Sequence, residues 1–96
     1  MTSKQRAYLK GLAMELDPVT QIGKDGVTEA FLESAAAAIE KRELIKLAAL
    51  QTSPVSAKDA SGEIARAIGA EVVQVIGNRI VLYKKNQKKP KIVLPR

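Results

Sequence analysis

Val19-Thr20-Gln21-Ile22-Gly23-Lys24-Asp25-Gly26-Val27-Thr28 joins a short apolar run to a GxxG loop and then to a cap residue heading a helix. Gly23 and Gly26 carry no Cβ and can take positive φ. The amides between them can therefore approach a phosphate closely, while the adjoining helix N-terminus adds partial positive charge. A loop of this kind suits the backbone of a nucleic acid. Six glycines in 96 residues make such a match easy to reach by chance, so the flanking sequence has to decide.

Downstream, Thr28 is placed as an N-cap and Glu29 complements the helix dipole. Val27, Ala30, Phe31, Ser34, Ala35, Ala38 and Ile39 mark a buried stripe that Lys41-Arg42-Glu43 closes, with Glu40 and Glu43 read as part of a solvated charge cluster. Leu44 to Leu50 reads as a strand buried on both faces; Lys46 interrupts it and either snorkels to the sheet edge or faces a ligand. Ser56 caps a third helix whose inner face is Ala57, Ala60, Ile64, Ala67 and Ile68, ending at Gly69. Glu71 to Ile76 and Arg79 to Tyr83 form a hairpin across Gly77-Asn78, with glycine where a type II′ turn requires it.

Upstream, Thr2-Ser3-Lys4-Gln5 has capping-box form, and Tyr8, Leu9, Leu12, Ala13 and Leu16 recur at helical spacing until Asp17-Pro18. That stripe leaves Arg6 and Lys10 on one flank and Lys4 on the other, open to a ligand. The order α-β-α-β-α-β-β predicts a single-domain α/β sandwich of two or three layers on a four-stranded mixed sheet.

Composition narrows the function. The chain is 96 residues long, 46% hydrophobic, and has neither cysteine nor histidine. One core is expected, in a soluble, unprocessed, cytoplasmic protein that needs no disulfide, metal or cofactor. Net charge is +6, but residues 1–77 hold nine basic and ten acidic side chains, while 78–96 hold seven basic and none acidic. Residues 85–96 lack periodicity, contain Pro90 and Pro95, and read as a flexible basic arm with a short apolar patch at Ile92, Val93 and Leu94. Lys84, Lys85, Lys88 and Lys89 would steer and anchor a polyanion by counterion release; a tail that merely aids solubility is the plainer reading.

Catalysis lacks its parts, since nucleophilic, imidazole and metal-assisted mechanisms all need residues missing here. The three aromatics, Tyr8, Phe31 and Tyr83, are too few for a sheet that stacks bases. What remains is backbone gripping by a loop at a helix start, as in KH modules, although those place the loop between two helices.

Several blocks in order resemble the CRM domain family (chloroplast RNA splicing and ribosome maturation), in its free-standing bacterial YhbY-type form. They are Lys4-Gln5-Arg6 with Leu9, Leu12 and Ala13; Pro18; Gln21-Ile22-Gly23-Lys24 with Gly26 and Thr28-Glu29; Glu43-Leu44-Ile45-Lys46; and Gln74-Val75-Ile76-Gly77 with Leu82-Tyr83. The resemblance covers about residues 2–84, giving a CRM-like domain at 1–84. It implies a fold similar to the C-terminal domain of translation initiation factor three, RNA binding through the GxxG loop, and association with precursor ribosomal particles. Asp25 stands where the family usually has asparagine and locally cancels Lys24; Met14 stands where it commonly has histidine.

The reading is thus a monomeric, non-enzymatic protein that binds ribosomal RNA through Gly23, Lys24, Asp25, Gly26 and Thr28, helped by Lys4, Arg6, Lys10 and the arm lysines, with no membrane or small-molecule partner. A chromatin-type duplex DNA binder and a protein-interaction module that uses the Ile92–Leu94 patch are the alternatives.

Overall fold

The structure, a computed structural model, describes all 96 residues. Its elements are α1 (Ser3–Ala13), β1 (Pro18–Ile22), α2 (Glu29–Arg42), β2 (Leu44–Ala49), α3 (Ala57–Ile68), β3 (Glu71–Ile76) and β4 (Arg79–Tyr83). All three predicted caps form. Thr2 and Gln5 close a reciprocal capping box, the Thr28 hydroxyl accepts from the Phe31 amide at 3.0 Å, and the Ser56 hydroxyl accepts from the Asp59 amide at 3.1 Å.

The sheet is mixed, in the order β1-β2-β4-β3, with β1 and β2 parallel and the other pairs antiparallel. Alternation along the strands sends Ile45, Leu47, Ile80 and Leu82 to one face, where they meet Phe31, Ala35 and Ile39 of α2 and Ile64 and Ile68 of α3. Leu44, Val81 and Tyr83 point to the other face and meet Leu9 and Ala13 of α1. The sandwich therefore has three layers, with one helix above the sheet and two below.

α1 ends at Ala13, before Leu16, because its last turn tightens: the Met14 amide bonds the Gly11 carbonyl and the Leu16 amide that of Ala13. Leu16 still packs against the second cluster from the turn beyond. Tyr8 and Leu12, expected inside, are largely exposed, since α1 rests on the narrow seam of Leu9 and Ala13. In α3 the buried face is Ala57, Ala60, Ile64 and Ile68 as expected, joined by Ser61 and Ala65, while Ala67 lies outside. The hairpin turn has positive φ at Gly77 (55°) and not at Asn78, as type II′ requires.

Two expectations fail at the far end of α2. Glu43 is not part of a solvated cluster: it is 0% exposed and holds a positive φ of 63°. The segment after Tyr83 has no regular structure, yet it does not hang free. It folds back so that the amides of Asn86 (2.9 Å), Lys91 and Ile92 (2.8 Å) all donate to the Glu43 carboxylate. The side chain of Asn86 bonds the Glu40 carbonyl at 2.8 Å, Gln5 bonds the Pro95 carbonyl at 3.0 Å, and Ile92 and Leu94 cover the second cluster. A buried carboxylate is tolerated only when fully hydrogen-bonded, and this one takes its donors from a stretch with no other use for them.

Candidate nucleic-acid interface

The GxxG loop follows the C-terminal end of β1. Because β2 is parallel to β1, that end also carries the β2–α3 connection, and the β3–β4 turn reaches it through the Ala49 amide bond to the Asn78 carbonyl (2.7 Å). Both α2 and α3 begin here, so two positive helix ends meet at one rim.

Within the loop the Gly26 amide donates to the Gly23 carbonyl at 3.1 Å, closing a turn with Lys24 and Asp25 at its tip. Both tip residues are exposed, and neither of their main-chain N–H groups has an acceptor in the protein. The two glycines differ in their duties. Gly26 has φ +74° and is buried, and a Cβ there would stand 3.3 Å from Cγ of Pro54. Gly23 has no positive φ and open space around it, so of the two glycines that can take a left-handed backbone only Gly26 does. Thr28 accepts the α2 cap bond through Oγ1, which leaves its O–H and its own amide as donors for an approaching anion.

The remaining cations are scattered. Nη1 of Arg6 donates to the carbonyls of Val72 (2.6 Å) and Val73 (2.8 Å), where the β3 register shifts. That side chain, expected on an open flank, is thus committed to satisfying a bulge. Lys4 is exposed in the first turn of α1, and Lys10 is half-buried near its last turn. Lys84, Lys85, Lys88 and Lys89 lie at the opposite end of the sheet from the loop, because Tyr83 pairs with Leu44 at the start of β2 while Ala49 ends it. Five strand steps, about 17 Å, separate these ends. Lys84 Nζ pairs with Glu40 Oε1 at 2.9 Å in the last turn of α2, and its side chain lies beside Gly69, the C-cap of α3.

Burial pushes the Glu43 carboxyl up, but the Asn86, Ile92 and Lys91 amides and the Lys91 charge outweigh it and hold the group below its ordinary value. Burial, reinforced by the carboxylates of Glu43 and Glu71, raises the Tyr83 phenol. Glu43 and the docking of the arm were missed in the sequence. The one signal was a lone acid closing a helix in front of a buried strand.

Residues 1–84 match the family model described as the CRS1/YhbY (CRM) domain. The chain is 38% identical over 95 residues to the Bacillus subtilis protein named "Probable RNA-binding protein YqeI", covering 99% of each. It is 36% identical over 96 residues to a Haemophilus influenzae protein named "RNA-binding protein", covering 100% of this chain and 96% of that one. The solution structure of hypothetical protein SAV1595 from Staphylococcus aureus matches with a TM-score of 0.74 at 38% identity over 99% of both chains.

Proposed function

The chain belongs to the CRS1/YhbY (CRM) domain family, and from that premise we propose that it is a non-enzymatic RNA-binding protein that docks on ribosomal RNA in precursor particles and assists subunit assembly. The observation that carries the reading is the pair of unsatisfied amides at Lys24 and Asp25, held outward at a helix start by a buried, left-handed Gly26. In this reading the two N–H donors, the Lys24 ammonium and the α2 dipole act on one phosphate. Lys10 extends the contact near the loop. Lys85, Lys88 and Lys89 act from the other end of the sheet, about 17 Å away, a separation that suits a folded ribosomal RNA better than a short strand. The protein-module alternative keeps a reduced surface, since Ile92 and Leu94 pack against the second cluster and only Val93 of its patch stays exposed.

Fluorescence anisotropy with a folded ribosomal RNA fragment, competed by duplex DNA, tests the reading. With about six phosphates neutralised, log affinity falls with log salt at a slope near −4 on single-stranded regions. Duplex DNA competes poorly. In gradient sedimentation of extracts the protein travels with precursor particles, and the Lys24→Ala variant is displaced from them. A nearly flat salt dependence contradicts the proposal.

A further inference from the structure

Sheet alternation puts Lys46 on the α1 face of β2, in a row otherwise made of buried Leu44 and Ala48. Its cross-strand partner is Val81, with Gln74 beyond. In the next row Ala48 stands opposite Arg79, with Ile76 beyond. Arg79 is therefore the diagonal neighbour of Lys46 on the same face, within reach of long side chains. The last turn of α1 brings Lys10 and Met14 over this spot, and together these residues enclose a cleft of about 130 Å³.

Three cations from three elements line this cleft and no carboxylate does. None of the three is in an ion pair, because the one ion pair of the protein joins Lys84 to Glu40 at the far end of the sheet. Snorkelling accounts for Lys46 taken singly. It does not account for Lys10 arriving from a helix and Arg79 from the neighbouring strand to crowd like charge into one half-enclosed space, an arrangement that repels itself until an anion enters. Arg79 supplies a planar fork for two oxygens, Lys46 and Lys10 supply point charges, and Gln74 adds a neutral hydrogen-bonding group; such a set matches a phosphate.

We propose that Lys10, Lys46, Arg79 and Gln74 form a second phosphate-binding site, which takes a phosphodiester of the same RNA that the GxxG loop holds. The inference rests on the RNA-binding reading above. Lys46 lies three residues back along β2 from Ala49, about 10 Å from the rim that carries the loop, so a few nucleotides span both.

The test is an amide NMR titration of the full chain with a single-stranded 12-nucleotide RNA and, separately, with inorganic phosphate. It is paired with anisotropy on a Lys46→Met, Arg79→Gln double variant, which keeps the apolar stem of Lys46 and whose fold is checked by the same spectra. The site predicts that Lys46, Gln74 and Arg79 shift with the same midpoint as Lys24 and Asp25. In the double variant affinity falls about tenfold and the salt slope loses about 1.4, while the loop amides still respond. If only the loop responds and the double variant binds as the parent does, the cleft is overturned and the loop reading stands. If only the cleft responds, the cleft stands and the loop reading fails. Silence at both overturns both. Saturation of the cleft by inorganic phosphate with no effect on RNA affinity overturns its assignment to RNA.

Discussion

At the Glu43 end of the sheet three main-chain amides close on a carboxylate of the protein's own chain, whereas at the loop end the amides of Lys24 and Asp25 have no acceptor within it. Both ends are irregular backbone with a positive φ, at Glu43 in one and Gly26 in the other. One end comes with its anion built in and serves stability. The other lacks an anion and, in the proposed function, serves binding. Basic residues alone do not make this distinction, since the arm holds more lysines than the loop; what separates the ends is whether the donors are already satisfied.

Glu43→Ala should break the comparison most severely. It leaves three partly buried donors unpaired and releases residues 86–92, costing about 3–5 kcal/mol, read as a lowered urea midpoint. RNA affinity of the molecules that remain folded should change far less. Gly26→Ala comes next. Forcing a Cβ into a positive φ against Pro54 should cost about 1–3 kcal/mol in stability and weaken RNA binding as well, while Gly23→Ala leaves the urea midpoint nearly where it was.

The acid limb of stability sharpens the contrast. The Glu43 carboxyl is held below its ordinary value of 4.5, so its contribution is complete above that pH and is lost as pH falls through the lower folded value. Glu43→Gln should flatten this limb in acid titrations followed by circular dichroism. The smallest effect is expected at Arg6. Arg6→Ala should cost about 1–2 kcal/mol through the abandoned carbonyls of Val72 and Val73, with less effect on the salt slope of RNA binding than Lys24→Ala.

The helix starts, the hairpin and the mixed sheet were legible in the sequence because each is written locally: a hydroxyl before an apolar stripe, a Gly-Asn pair between β-branched runs, alternation along a strand. The loop was legible for the same reason. Glu43 was not, because its partners lie 43 to 49 residues away in a segment without periodicity, and no local rule tells a buried acid from a solvated one. Arg6 and the cleft cations were obscured in the same way. The Arg6 acceptors exist only after β3 bulges, and Lys10, Lys46 and Arg79 meet only after strand register is set.

Hydrogen exchange at the Lys24 and Asp25 amides, measured with and without a ribosomal RNA fragment at low salt, tests the central claim most directly. Both amides should exchange rapidly in the protein alone and slow markedly when RNA is bound, with Asn86 and Ile92 protected in either state. RNA binding that leaves exchange at Lys24 and Asp25 unchanged would contradict the account.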